Sequence, residues 1–244
     1  MASLVHALIF AGGAGRRMHT SGMPKQFLRV FGKPILIHTL ENFDMHEEVD
    51  DIVLVSGADY LDMTRGLIRQ FGVRKVTHLV PGGETGQESI WQGLQALEAD
   101  AQSTPEDVVL IHDGVRPLIG HDLISQNIDT VRRHGSAISA APATETFCTC
   151  DGEGAVTDIL PRPVCRLAKA PQSFHLKDIC EAHRWARQQH VTDAIDSADL
   201  MRRHGASLHW VDCPVTNIKI THPVDYYIFK GILNAQESEQ ILGL

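Results

Sequence analysis

Residues 7–28 read ALIFAGGAGRRMHTSGMPKQFL, and this stretch decides both the fold and the chemistry expected of the chain. Its first five residues are apolar, which predicts a short buried strand. Three glycines follow, and glycines after a strand permit a tight turn whose backbone N–H groups approach a ligand closely. Arg16 and Arg17 come next, and guanidinium groups beside such a turn suit an anion that accepts forked hydrogen bonds. Together with Lys25, in a Pro-Lys-Gln segment, the loop is predicted to close over a triphosphate.

Two better-known phosphate-binding motifs are absent from this region. A Walker A motif needs Ser or Thr after its Gly-Lys pair, whereas Gly32-Lys33 is followed by Pro34. The dinucleotide fingerprint needs a third glycine at the position where Met18 stands. The loop therefore predicts phosphate binding of another kind. The alternative is a glycine-rich turn with solvated basic residues.

Composition limits the class of protein and its partners. The chain has 244 residues, 43% hydrophobic and 21% charged, which is typical of a globular protein. Its net charge of −8 argues against nucleic acid as the main partner, although a few cations in one cleft still attract an anionic small molecule. We see no signal peptide and no apolar run of the roughly 20 residues that a membrane span needs. Five cysteines without a framework pattern predict reduced thiols and a cytoplasmic protein.

Apolar strands alternate with amphipathic helices along the first 141 residues. After the opening strand, helices are predicted at 33–43, 61–71, 89–97 and 121–134, and strands at 51–56, 75–80, 107–112 and 136–141. This alternation predicts an α/β, Rossmann-like fold with a mostly parallel sheet, which binds its ligand outside the carboxyl ends of the strands. Three stretches fall at that edge, namely Gly12 to Arg17, Gly82 to Ser89, and Asp113.

The alternation then breaks between residues 143 and 169, which contain short polar runs and several prolines and glycines. We interpret this segment as a projecting β-hairpin arm with Asp151-Gly152 at its tip, the alternative being a long surface loop. Beyond it we predict helices at 176–189, 196–204 and 223–233, and strands at 207–211 and 217–221. No repeat or linker is evident, so residues 1–244 are interpreted as one domain that carries the arm.

Two residues outside the opening loop are candidates for phosphate chemistry. Asp113 directly follows a predicted strand, where a carboxylate is placed to hold Mg²⁺ on phosphate oxygens, or else to cap the turn before Arg116. Lys219 stands between two isoleucines, and its ammonium faces either solvent or a site. The cysteines and the fourteen histidines show no zinc-ligand spacing.

Five motifs in order give the chain a family resemblance. They are AGGAGRRM at 11–18, MPKQFL at 23–28, HDGVRP at 112–117, APQSF at 170–174 and NIKIT at 217–221. Together they resemble the CTP-dependent polyol-phosphate cytidylyltransferases, a family that includes enzymes acting on ribitol 5-phosphate and on 2-C-methyl-D-erythritol 4-phosphate. The resemblance covers nearly the whole chain. It implies a glycosyltransferase-A-like nucleotidyltransferase fold and a homodimer in which the arm reaches the partner's site.

The resemblance also implies a reaction and its residues. CTP and a polyol phosphate would give a CDP-polyol and pyrophosphate, with Mg²⁺ or another divalent cation. The catalytic candidates are Arg17, Lys25, Lys219 and Asp113, of which Asp113 would also bind the metal and the nucleotide. Further nucleotide-binding candidates are Ala11, Gly12, Gly13, Gly15, Arg16, Gly82 and Ser89. Candidates for the polyol phosphate are Thr146, Arg162, Arg116 and Thr221, with Thr146 and Arg162 acting from the other subunit.

The choice of polyol rests on finer features. Phe27 in the second motif favours the branch that uses D-ribitol 5-phosphate, with the methylerythritol enzyme of isoprenoid precursor synthesis as the alternative. Ile195 stands where relatives often have Thr or Ser, and Ala170 where Thr usually precedes Pro-Gln, which leaves the polyol open. Rivals are a nucleotide-sugar transferase, an NAD-dependent oxidoreductase and a non-catalytic nucleotide-binding regulatory domain. Arg17, Lys25, Asp113 and Lys219 count against the last of these.

Overall fold

The computed structural model of the chain describes residues 3–12 and 23–242, with side chains as far as residue 238. Its strands are β1 (Val5–Ala11), β2 (Arg29–Val30), β3 (Lys33–Pro34), β4 (Asp51–Ser56), β5 (Val76–Pro81), β6 (Val108–Asp113), β7 (Ser136–Pro142), β8 (Phe147–Cys150), β9 (Val156–Leu160), β10 (Arg166–His175) and β11 (Trp210–Asp212). Its α-helices are α1 (Ile35–Asp44), α2 (Leu61–Phe71), α3 (Gly86–Ala99), α4 (His121–His134), α5 (Leu176–Gln188), α6 (Ser197–Arg203) and α7 (Pro223–Leu242).

Seven of these strands form the central sheet in the order β11-β7-β10-β6-β1-β4-β5. β1 pairs in parallel with both β4 and β6, and β4 with β5, while β10 runs antiparallel between β6 and β7. The predicted mostly parallel α/β sheet is therefore confirmed. Phe10 pairs with Asp113 and Ala11 with Ser56, so three parallel strands end together at one edge of the sheet.

Helices cover both faces of this sheet, as parallel strands require. Alternate residues of β1 point to opposite sides. Ile9 packs in one cluster with Leu36 and Leu40 of α1. Leu8 packs in the other, with Leu94 of α3 and Ile179 of α5. This alternation explains why a single unbroken apolar strand serves two cores.

Several predicted elements agree closely with the structure. The strand at 51–56 and the helices at 61–71 and 121–134 match to the residue. Gly72 and Gly135 end those two helices in the left-handed conformation, at φ 68° and 81°. The hairpin is confirmed as β8 paired with β9, and Asp151 lies in the turn between them. No helix within the described ranges is long and apolar enough to cross a membrane.

Three predictions of local structure are wrong. No strand is predicted over residues 170–175, yet β10 runs through them, and a register shift between Ala168 and Gln172 accommodates Pro171 within the sheet. The arm consequently ends before Arg166, where β10 begins, and not at residue 169. The strand predicted at 217–221 does not form. Asn217 O accepts hydrogen bonds from two side chains, and Ile220 N donates to Val115 O, which lies outside the strands of the sheet.

Smaller differences concern the boundaries of elements. The predicted strand at 207–211 begins later, as β11, and the closing helix continues well beyond residue 233. The predicted helix at 33–43 begins at Ile35, because Lys33 and Pro34 pair with β2 instead.

Candidate active site

The nucleotide-binding candidates that the structure describes lie together at the carboxyl edge of the sheet. A Cβ atom built on Gly12 would lie 3.3 Å from Ser89 Oγ, and one built on Gly82 would lie 3.0 Å from the same atom. Ser89 Oγ in turn accepts a hydrogen bond from Gly83 N (3.2 Å). Gly12 and Gly82 therefore both pack against one serine, and a side chain at either position would require Ser89 to shift. Ala11 closes β1 beside them, whereas Gly13, Gly15, Arg16 and Arg17 lie outside the described residues.

The Pro-Lys-Gln segment is fixed to the same edge. Gln26 is buried, and its Nε2 donates to Ala11 O at the end of β1 (2.7 Å). Phe27 is buried as well, with its ring centroid 5.4 Å from that of Tyr60. Lys25 opens this turn of 3-10 helix, so its neighbours hold it next to the end of β1.

Asp113 sits between two cations at the end of β6. Its Oδ1 lies 2.6 Å from Lys219 Nζ, and its Oδ2 lies 3.3 Å from Arg116 Nε. The Asp113 side chain is 8% exposed, so burial alone would raise the pKa of the carboxyl. Lys219 and Arg116 outweigh burial and hold that pKa below its ordinary value. Asp113 is therefore ionised at neutral pH, and it orients both cations.

The turn that carries Asp113 and Arg116 is held by a neutral histidine. His112 is fully buried, and burial lowers its pKa to about 4. Its Nε2 lies 3.0 Å from Arg116 O, so in the neutral ring this nitrogen carries the proton and donates. Gly114 follows Asp113, where a Cβ would lie 2.8 Å from Ala11 Cβ. The motif HDGVRP thus places its aspartate by close backbone packing.

A cavity of about 330 Å³ opens beside this cluster. The polar residues that line it are Gln87, Asp113, Arg116, Lys169, Gln172, His183, Asp196, Ser197 and Lys219. Apolar residues that include Phe10, Ile90 and Ile111 line the rest. Three cations thus converge in one cleft of a chain whose net charge is −8.

The far wall of the cavity is organised by an amide and a carboxylate. Gln172 Nε2 donates to Asp196 Oδ2 (2.8 Å), and Gln172 Oε1 accepts from Ala198 N (2.8 Å). Asp196 also caps α6 by accepting from Asp199 N. Ile195, the residue that departs from the family pattern, is 87% exposed at the edge of the cavity.

The predicted polyol-phosphate residues occupy three places. Arg116 lines the cavity, and its Nη1 donates to Asn217 O (2.7 Å). Thr146 and Arg162 come together on the exposed arm, where Arg162 Nη2 donates to Thr146 Oγ1 (3.4 Å). Thr221 lies two residues before α7, and its hydroxyl donates to Asp225 Oδ2 (3.0 Å). The structure thus groups Arg116 with Asp113 and Lys219, and groups Thr146 with Arg162.

The side chains of this site suit a divalent cation that binds together with the phosphates of a substrate. Among the described residues, no group of three or more His, Cys, Asp or Glu side chains could hold a metal by itself. Asp113 offers one carboxylate, and Mg²⁺ commonly binds to one or two carboxylates, phosphate oxygens of the substrate and water. The residues therefore fit an ion that arrives with a triphosphate, and they do not form a preformed metal cage.

Sequence reasoning missed the residues that connect this site. Gln26 and Gln172 fall within two of the quoted motifs, and each is buried and hydrogen-bonded, so their place in a motif was the available signal. Lys169 directly precedes the motif that contains Gln172 and lines the cavity, yet nothing in its local sequence distinguishes it from a surface lysine.

Comparison with known proteins places this geometry in a family. The family described as 2-C-methyl-D-erythritol 4-phosphate cytidylyltransferase (IspD) matches residues 5–235. A ribitol-5-phosphate cytidylyltransferase of Vibrio parahaemolyticus is 49% identical over 97% of this chain and 99% of its own length. One of Streptococcus agalactiae is 47% identical over 97% and 98%. A 2-C-methyl-D-erythritol 4-phosphate cytidylyltransferase of Geotalea uraniireducens is 38% identical over 97% and 99%.

Solved structures agree with the sequence matches. A 4-diphosphocytidyl-2C-methyl-D-erythritol synthase of Anaerococcus prevotii superimposes with a TM-score of 0.83 and 26% identity. The match covers 95% of this chain and 96% of that one. The superposition therefore extends over nearly the full length of both chains.

Proposed function

The chain belongs to the 2-C-methyl-D-erythritol 4-phosphate cytidylyltransferase (IspD) family of nucleotidyltransferases, and from this premise we propose that it transfers a cytidylyl group from CTP to D-ribitol 5-phosphate. The products are CDP-ribitol and pyrophosphate. The relatives matched at 47–49% identity carry the ribitol name, whereas the methylerythritol enzyme of Geotalea uraniireducens is 38% identical to this chain. Methylerythritol 4-phosphate is the alternative substrate.

The ion-paired cluster of Asp113, Arg116 and Lys219 is the observation that carries this proposal. The attacking phosphate oxygen is already a nucleophile, so the reaction needs no strong base. Its difficulty lies in bringing two anions together and stabilising negative charge on the α-phosphate and on the departing pyrophosphate. Preoriented cations at the edge of the sheet meet both needs. In this proposal Lys25 and Arg17 add further positive charge, Arg17 from outside the described residues.

A divalent cation completes the proposed site. Asp113 would hold Mg²⁺ together with the phosphates of CTP, and the ion would neutralise charge on the pyrophosphate as it departs. Both carboxylate oxygens of Asp113 already face a cation, so the chain itself fixes where the carboxylate points. The proposal predicts that EDTA abolishes turnover and that added Mg²⁺ restores it. Full activity in EDTA would show that the reaction needs no divalent cation.

The far wall of the cavity supports a polyhydroxylated substrate. Asp196 and Gln172 present carboxylate and amide groups to the cavity, and hydroxyl groups donate well to a carboxylate. Asp196→Asn retains a good helix cap while losing the charge. We expect it to lower kcat/KM for ribitol 5-phosphate about 10-fold or more with little change in KM for CTP. An unchanged kcat/KM would separate Asp196 from the polyol.

The arm supports a homodimer. An isolated two-stranded hairpin is marginal in water, and this arm exposes Val156 and Ile159 on β9 and Val164 in the turn after it. Exposed apolar side chains of this kind favour burial against a partner. We propose that Thr146 and Arg162 hold the polyol phosphate in the site of the other subunit.

All five cysteines are free, which favours a reducing compartment, the cytoplasm. Secretion of the native protein would contradict that location.

The reaction is tested by pyrophosphate release. The purified protein receives CTP and Mg²⁺ with ribitol 5-phosphate, methylerythritol 4-phosphate or glycerol 3-phosphate in separate reactions. The proposal expects the highest kcat/KM with ribitol 5-phosphate. Preference for methylerythritol 4-phosphate selects the alternative, and CTP binding without turnover on any of them supports a regulatory domain.

Exchange of the arm is tested by complementation. Lys25→Ala and Arg162→Ala are each expected to inactivate a homodimer. In a mixed dimer, one of the two sites would contain both wild-type residues if Arg162 acts across the interface. Partial recovery of activity is therefore expected, and no recovery in heterodimers shown to form would place the whole site within one chain.

A further inference from the structure

Lys169 is a cavity residue to which the sequence assigned no role. It lies on β10, within the register shift between Ala168 and Gln172, and its side chain lines the same cavity as Asp113 and Lys219. Its Nζ donates to Val215 O (2.9 Å) and to Asn217 O (3.1 Å). An ammonium group has three N–H donors, so two are engaged by the chain and one is left for a ligand.

A chain of contacts joins Lys169 to the ion-paired cluster. Asn217 O accepts from both Lys169 Nζ and Arg116 Nη1. Arg116 pairs with Asp113, and Asp113 pairs with Lys219. Three cations and one carboxylate are thus linked, which leaves two positive charges without a carboxylate inside the cluster. Asp196, the carboxylate on the far wall, is bonded to Gln172 and to the start of α6 instead.

The local field around Lys169 is positive. Burial and the nearby Arg116 both lower the pKa of the Lys169 ammonium. An anion in the cavity would reverse this effect by compensating the desolvated charge. The free N–H donor of Lys169 and the two excess positive charges of the cluster suit a ligand with about two negative charges, such as a phosphate monoester.

Sheet order indicates which substrate supplies this phosphate. Gly12 and Gly82 follow β1 and β5, and β10 lies on the other side of β6 from those strands. The nucleotide turns and Lys169 therefore flank Asp113 from opposite directions. On the basis of the proposed function, we propose that Lys169 binds the phosphate group of the polyol phosphate within its own subunit. It thereby holds the nucleophile against the α-phosphate of CTP.

The experiment compares Lys169→Met, Lys169→Arg and Lys177→Met. Methionine keeps an unbranched chain without charge. Asn217 remains held by Arg116 and by its own bond to Ala170 O (2.8 Å) when the Lys169 contacts are lost. Lys177 pairs with Glu106 just before β6, at the opposite edge of the sheet, and serves as the matched control. Melting temperatures establish that each variant is folded.

Lys169→Met is expected to raise KM for ribitol 5-phosphate by about 10- to 100-fold, the effect of losing one charge-assisted hydrogen bond. KM for CTP should stay within about 3-fold, Lys169→Arg should recover most of the loss, and Lys177→Met should resemble the wild type. An equal rise in both KM values would indicate a disturbed loop, and a rise for CTP alone would assign Lys169 to the nucleotide. Either result overturns the proposal, as does no change.

A binding measurement separates this inference from the reaction itself. Calorimetry with ribitol 5-phosphate, and with inorganic phosphate, needs no turnover. If the wild type turns over no polyol phosphate, the proposed function fails, yet weaker binding of both ligands to Lys169→Met would still support the anion site. Equal binding to wild type and Lys169→Met refutes the site regardless of turnover.

Discussion

Asp113→Asn removes the carboxylate that two cations share. The Arg116 side chain is only 10% exposed, so its guanidinium would remain buried while still hydrogen-bonded to Asn217 O. Breaking a buried pair in this way costs about 3–5 kcal/mol at most. Lys219 is 41% exposed and can turn to solvent, and the new amide oxygen still accepts a hydrogen bond. We therefore expect a loss of about 2–3 kcal/mol in the free energy of unfolding, or about 4–12 °C in Tm for a chain of this size.

The same change has a defined pH dependence. Because the pKa of Asp113 is depressed in the folded state, its contribution to stability is present above the ordinary value of 3.8 and is lost as the pH falls through the folded pKa. The difference between wild type and variant should therefore stay constant from about pH 7 to 4 and shrink only below that. Activity should fall on the order of 100-fold, since Lys219 loses its orienting partner.

Urea unfolding and pyrophosphate release measure the two effects on the same samples. Lys219→Met should lose activity to a similar degree but cost under about 1 kcal/mol, because Lys219 is partly solvated. Asp62→Asn removes an exposed carboxylate that pairs with Arg65, and it should leave both quantities nearly unchanged. The reasoning is refuted if Asp113→Asn is as stable as the wild type, or if Lys219→Met destabilises the protein as much as Asp113→Asn does.

Two further predictions concern stability away from the cluster. His6 lies between Asp51 (2.9 Å) and Asp107 (3.2 Å). Burial lowers the pKa of His6, but the two carboxylates outweigh burial and raise that pKa above 6.5. The contribution of His6 to folding stability is therefore full below pH 6.5 and is lost as the pH rises through the folded-state pKa. His6→Gln should therefore destabilise most between about pH 4 and 6.5, and an offset in unfolding free energy that does not vary with pH would contradict this. A Cβ on Gly93 would lie 2.9 Å from Leu8 Cδ1, so Gly93→Ala should cost about 1–3 kcal/mol in urea unfolding; an unchanged midpoint would show that Leu8 moves aside freely.

The residues of the candidate site that could be predicted from the sequence belong to motifs at the ends of strands. Asp113 ends a strand, and Gly12 and Gly82 open turns at the same edge, so the sheet alone brings them together. The sequence left open whether the Lys219 ammonium faces solvent or a site, and its ion pair with Asp113 places it in the site. The roles proposed for Arg17, Gly13, Gly15 and Arg16 stay predictions, since these residues lie outside the described part of the chain.

Sequence periodicity by itself determined the parallel strands, the helices between them, two glycine helix ends and the hairpin. Each of these depends on neighbours within a few residues, where apolar spacing and turn chemistry act directly. Only the tertiary structure decided that a proline-containing segment becomes β10, because pairing on both sides outweighs its poor strand propensity. It also decided that Lys169 joins Arg116 at the carbonyl of Asn217. Contacts between residues so far apart in the chain depend on the packed sheet, and no local pattern encodes them.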